Sequence, residues 1–88
     1  MAEETKLFFA NFSDVYVDEV QELFESCGEV VRFFIKYDDE TSACAGWGIV
    51  EMGSREEAEE AVRRLNGRRL TDSEWRLKVG FARPKITH

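Results

Sequence analysis

Residues 45–52 read Ala-Gly-Trp-Gly-Ile-Val-Glu-Met, and their alternation constrains the chain more than any other stretch. In a strand, successive side chains point to opposite faces of the sheet. Ala45, Trp47, Ile49 and Glu51 then share one face, and Gly46, Gly48, Val50 and Met52 the other. Both faces carry apolar groups. A small antiparallel sheet needs only one face for its core, so a Trp and an Ile on the second face point to a surface kept for a partner. Glycine weakens a strand interior unless something approaches closely there, which fits Gly46 and Gly48.

Periodicity extends this strand into an order of elements. Residues 5–12 alternate around Leu7, Phe9 and Phe12. Across residues 16–27 the positions Val17, Val20, Leu23, Phe24 and Cys27 recur at helical spacing, and Gly28 reads as the C-terminal cap. A second strand is predicted over 30–37, with Phe33 and Ile35 inward and Arg32, Phe34 and Lys36 outward; an edge-strand bulge would turn either phenylalanine inward. An acidic turn at residues 38–42 leads back into the octapeptide strand. Ser54-Arg55-Glu56-Glu57 is a capping box for a second helix with the stripe Ala58, Ala61, Val62 and Leu65, stopped by Asn66-Gly67. The last strand spans about 75–82, with Leu77 and Val79 inward. Strand, helix, strand, strand, helix, strand is the split βαβ arrangement of the α+β class: a four-stranded antiparallel sheet with two helices on one face and the other face open.

The octapeptide resembles the longer signature of the RNA recognition motif, Lys/Arg-Gly-Phe/Tyr-Gly/Ala-Phe-Val-x-Phe/Tyr. Gly46, Gly48 and Val50 match, and Trp47 is an aromatic substitute. Ala45 replaces the basic residue, Ile49 the second aromatic and Met52 the last. Upstream, Leu7-Phe8-Phe9-Ala10-Asn11-Phe12 resembles the family's shorter first-strand motif, with Phe8 as its exposed aromatic. Gly28-Glu29-Val30, Asp38-Asp39-Glu40-Thr41, Leu65-Asn66-Gly67, and Leu77-Lys78-Val79 followed by Ala82 and Pro84 continue the likeness over roughly residues 6–84. The resemblance implies a ferredoxin-like fold with the first and third strands central, and a single domain over 5–84 with a short tail at 85–88. It implies binding of short single-stranded RNA on the open face by a monomeric chain.

Read globally, charge argues against RNA, because 12 basic residues against 18 acidic leave a net charge of −6. Position changes its meaning. Asp18, Glu19, Glu22 and Glu25 fall on the first helix and Glu56, Glu57, Glu59 and Glu60 on the second, whereas strand parity puts Lys6, Arg32, Lys36, Arg76 and Lys78 on the open face with Glu51 the only acid. Charges beyond a Debye length of about 8 Å are largely screened at physiological salt, so the local cluster matters as much as the total. Phe8, Phe34, Trp47 and Ile49 stand among these cations. Unstacked bases lie on such aromatic planes while Lys and Arg neutralise phosphates; Arg83, after the last strand, completes the expected RNA-binding set. Missing the basic residue at Ala45 and an aromatic at Ile49, the face is expected to bind weakly, with salt sensitivity and little sequence discrimination.

Other classes fit less well. Relatives of this fold that bind a peptide through an acidic first helix use an Arg-x-Phe motif; Arg68-Arg69-Leu70 has Leu in place of Phe. A protein partner on the sheet face or on the acidic first helix stays open as the alternative. Arg63, Arg64, Arg68 and Arg69 read as a solvated helix end meeting the dipole, and Trp75 as a lid on the core edge. Catalysis is not expected: Asn11-Phe12-Ser13-Asp14-Val15-Tyr16 has neither the Gly nor the Arg of a phosphate-cradling loop, Ser13 and Ser54 read as turn and cap residues, and the single histidine, His88, ends the chain. Cys27 and Cys44 lack metal-ligand spacing, so neither metal nor cofactor is expected; Cys27 reads as a reduced thiol on a buried helix face. No apolar run approaches the ~20 residues of a membrane helix, and Met-Ala-Glu-Glu-Thr does not read as a signal peptide. The expected location is nucleus or cytoplasm, with no membrane or small-molecule substrate.

Overall fold

A computed structural model describes residues 5–41 and 43–82. Leu7 and Phe9 alternate with Lys6 and Phe8 in β1 (Lys6–Ala10), and the first pair is fully buried. A short 3-10 turn at Asp14–Tyr16 enters α1 (Val17–Glu25), which buries Val20 and Phe24. β2 (Val30–Tyr37) and β3 (Cys44–Met52) follow, then α2 (Arg55–Leu65) and β4 (Lys78–Phe81). The sheet order is β2-β3-β1-β4 with every neighbouring pair antiparallel. The two motif-bearing strands are therefore central, as the resemblance implies.

The core is built around Phe9. Its ring centroid lies 5.3 Å from that of Phe12, 5.0 Å from Phe24 and 5.3 Å from Phe33, within the range of favourable aromatic pairs. Val50 and Met52 from β3 and Ala58, Ala61 and Leu65 from α2 close it on the helical side. Gly48 is required here: a Cβ would collide with the Phe34 carbonyl oxygen and the Phe9 ring. This glycine lets β3 lie against the largest side chain of the core.

Both helix ends show what fixes them. At α2 the Ser54 hydroxyl oxygen accepts from the Glu57 N–H at 3.2 Å, the first half of the capping box. The Glu57 carboxylate accepts from the Ser54 hydroxyl at 3.1 Å through one oxygen and reaches across to accept from the Glu29 N–H at 2.9 Å through the other. That crossing explains Gly28, where a Cβ would meet Glu57 Oε2 at 2.5 Å. The expectation that Gly28 caps α1 is corrected accordingly: α1 ends at Glu25 with Ser26 as C-cap, and Gly28 makes room for the second helix's carboxylate. Cys27 likewise lies beyond the helix, half-buried against the core.

The C-terminal strand is shorter than the predicted 75–82. Leu77 N–H donates to the Arg68 carbonyl and Gly67 N–H to the Leu77 carbonyl, at 2.8 and 2.7 Å. These residues thus pair with the end of the preceding connection before β4 joins β1. Trp75 is corrected too. Leu70, 2% exposed, and the buried Ser73 occupy the core edge, leaving the indole 64% exposed. Arg83, Pro84 and the tail 85–88 lie outside the described residues.

Candidate nucleic-acid interface

Cross-strand register sorts the open face into rows. Arg32, Glu51 and Lys6 stand opposite one another on β2, β3 and β1. One pleat along comes the apolar row Phe34, Ile49, Phe8 and Gly80. The next holds Trp47, Ala10 and Lys78. The Phe8 and Trp47 rings lie diagonally across the two central strands with centroids 5.7 Å apart and planes 28° apart. They form one continuous aromatic surface. Phe8 is 39% and Phe34 53% exposed, although their neighbours Phe9 and Phe33 pack inward.

This exposure follows from the backbone. Register shifts in the β2–β3 ladder fall at Val30/Arg32 and Ile35/Tyr37, flanking Phe33 and Phe34 without exchanging their faces. Gly46 has a φ of 91° within the second irregularity, a left-handed value that glycine adopts without steric cost. β3 thereby absorbs its extra residues before Trp47.

The cations divide. Lys6, Arg32 and Lys78 are exposed and Lys36 is half-buried at the bulge. Arg32 Nε lies 3.8 Å from Glu51 Oε1, an open ion pair of little energetic weight that a phosphate can displace. Arg76 lies outside β4, in an isolated bridge with Arg69. Its guanidinium donates to the Gly67 carbonyl at 3.0 Å and its carbonyl accepts from the Asn11 side-chain amide at 2.9 Å. Of the predicted cations, Lys6, Arg32, Lys36 and Lys78 thus accompany the aromatic rows, Arg76 is engaged at the sheet end, and Arg83 falls outside the described residues.

Gly80 is the position that sequence reasoning missed. It stands opposite Phe8, and a Cβ there would meet nothing within 4 Å among the described residues, so these leave open space beside the Phe8 ring. Strand parity from Lys78 was the available signal. At the acidic β2–β3 turn, Asp38 Oδ1 accepts from the N–H groups of Glu40 and Thr41 at 2.8 and 3.0 Å. The Thr41 and then the Glu40 backbone bonds hold this carboxyl below its ordinary pKa, with Lys36 adding a smaller pull.

The helical surface is less available. Glu19 on α1 accepts from both the backbone N–H and the hydroxyl of Thr71, each at 3.0 Å, and Leu70 is buried. The Arg68-Arg69-Leu70 segment therefore offers no exposed apolar side chain beside α1. Arg63 and Arg64 both pair with Glu60, in keeping with a solvated helix end. Among the described residues no cluster of His, Cys, Asp or Glu could hold a metal, and no helix is long and apolar enough to cross a membrane.

Comparison with known proteins identifies the family. The nuclear cap-binding protein subunit 2 of Danio rerio is 37% identical over 73 residues, covering 82% of this chain and 47% of that protein. The 28 kDa chloroplastic ribonucleoprotein of Spinacia oleracea is 41% identical over 66 residues, covering 74% and 28%. The chain thus spans less than half the length of these curated relatives. A Sxl-lethal protein/RNA complex superposes with a TM-score of 0.82 at 28% identity, covering 96% of this chain and 50% of that one. The RNA15 RRM structure, at 23% identity, TM-score 0.81 and 92% coverage of both chains, shows the shared fold. The RNA recognition motif family matches residues 11–76, which run from the end of one motif-bearing strand through the whole of the other. With this sheet order and with Phe8 and Phe34 exposed on the sheet, the chain belongs to the RNA recognition motif family and is an RNA-binding domain rather than an enzyme.

Proposed function

We propose that this domain binds a short stretch of single-stranded RNA across the open sheet, one chain to each stretch, with bases on Phe8, Trp47 and Phe34 and phosphates met by Lys6, Arg32, Lys36 and Lys78. The observation that carries this reading is the paired Phe8 and Trp47 surface next to an apolar row that the core does not use. A base stacked on such a ring contributes about 1–3 kcal/mol. Rows two residues apart along a strand are separated by roughly 7 Å, which favours splayed over mutually stacked bases. Ile49 packs against a base or sugar between the rings. Few side-chain donors or acceptors lie in these rows, so discrimination among bases is modest and binding is weak.

Arg76, before β4, and Arg83, which follows it in the sequence, remain part of the proposal as secondary phosphate contacts. Nuclear and chloroplastic relatives support an intracellular setting, and we favour the nucleus or cytoplasm for this chain. The test is an anisotropy titration of short labelled RNAs against the native domain and a Phe8→Ala/Trp47→Ala double variant. Loss of most of the binding with the fold intact supports stacking; unchanged affinity removes it.

A further inference from the structure

An open cleft of about 730 Å³ sits at one end of the sheet, where β1 ends and β3 and β4 begin. Its walls come from the Asn11–Tyr16 connection, from Ala45 and Gly46, and from the 72–75 connection. The largest exposed side chain on it is that of Trp75, whose backbone N–H donates to the Ser73 Oγ at 2.9 Å; Ser73 is 6% exposed. Val15 beside it is 83% exposed. The two connections are tied together, because the Asn11 side chain donates to the Arg76 carbonyl. Asn11 and Asp72 adopt left-handed backbone angles, with φ of 76° and 58°, and so supply the bends in the two walls.

Charge decides what such a cleft accepts. Asp72 and Glu74 line it, Asp14 lies between the lining residues Ser13 and Val15, and among the described residues no Lys or Arg lines it. The Arg69 guanidinium, from the same connection, is already engaged with the Ser73 carbonyl at 3.2 Å. A phosphate is repelled here. A cation over an indole face is attracted by the ring quadrupole, and carboxylates beside the ring add charge-assisted hydrogen bonds. Arginine suits both, because its planar guanidinium stacks on aromatic rings and bonds carboxylates in a fork. The volume, within the usual range for a ligand cleft, exceeds one side chain and admits its flanking residues.

We propose that this cleft is a docking site for a flexible, arginine-bearing peptide segment of a protein partner, with the guanidinium on Trp75 between the carboxylates of Asp72 and Glu74. The site is separate from the aromatic rows of the sheet and does not rest on the single-stranded RNA reading.

The test is an NMR titration of the isotope-labelled chain with the capped peptide Gly-Ser-Arg-Ser-Gly, beside a control peptide carrying neutral citrulline in place of arginine. Saturable shifts of the Trp75 indole N–H and of the amides of Val15, Asp72 and Glu74 are expected with the arginine peptide only. Trp75→Ala weakens binding about five-fold, and Asp72→Asn with Glu74→Gln about three- to five-fold. Both changes are at exposed positions, and asparagine tolerates the left-handed backbone of residue 72. Phe8→Ala leaves peptide binding unchanged. Equal shifts with the citrulline peptide, or none with either, overturn the proposal. Stronger shifts of Trp75 with an RNA oligonucleotide than with peptide overturn it in favour of an extended RNA path.

Discussion

Phe8 and Phe9 are adjacent in the chain and opposite in role, which makes them a paired test of the whole reading. Phe9→Ala empties the centre of the core, where three other rings meet; urea unfolding should show a loss of about 3–5 kcal/mol. Phe8→Ala removes a side chain from the open face and should change stability by roughly 0.5 kcal/mol or less, yet weaken RNA binding by about 1–3 kcal/mol. If the two substitutions instead had like effects on stability, the assignment of faces would be wrong. Gly80→Leu probes the open space beside Phe8. The fold should tolerate it while RNA affinity falls by about 1 kcal/mol, near the low end of a stacking contact, as read by the same anisotropy titration.

At the scale of elements, interactions local in sequence were the legible ones. The alternation in β1, β2 and β3 and the Ser54 N-cap appear in the structure where the residues place them. Long-range partners were not legible. Nothing near Gly28 in sequence announces that Glu57 will fill the space beside it. Trp75 looked like a core lid because an indole is large and apolar, but Leu70 and Ser73 reach the core edge first. Residues 75–77 alternate like a strand, although residues 76 and 77 pair with 67–69 rather than with β1. Of the site, the aromatic rows were readable from parity; the engagement of Arg76 by Gly67 and the open space at Gly80 were not, because both depend on a neighbouring strand or turn.

Two element-scale predictions follow from the local interactions. Ser54→Ala should lower stability by about 1 kcal/mol in chemical denaturation, the usual cost of losing an N-cap. The β2–β3 turn should be acid-sensitive. The Asp38 pKa is depressed in the folded state, so its contribution is fully present above the unfolded-state pKa and is lost as pH falls through the lower folded value. Amide exchange at Glu40 and Thr41 should therefore gain its protection over that acidic window in the native chain. In Asp38→Ala the exchange of these amides should show no such step.

For the whole molecule, the net charge of −6 and RNA binding are compatible because most of the acids lie away from the open face. Asp18, Glu22, Glu25, Glu56 and Glu59 are exposed on the helices, while Lys6, Arg32 and Lys78 are exposed on the open face. With the four principal phosphate contacts, log affinity should fall with log salt at a slope of roughly −2 to −3, the shallower end applying where Glu51 offsets its neighbours. The most direct measurement of the central claim is residue-resolved NMR mapping with short single-stranded RNAs at low and moderate salt. The account predicts shifts concentrated on Lys6, Phe8, Phe34, Trp47 and Lys78 that fade as salt rises. Shifts confined to residues 17–25 of α1, or an open face that stays silent at every RNA concentration, would contradict it.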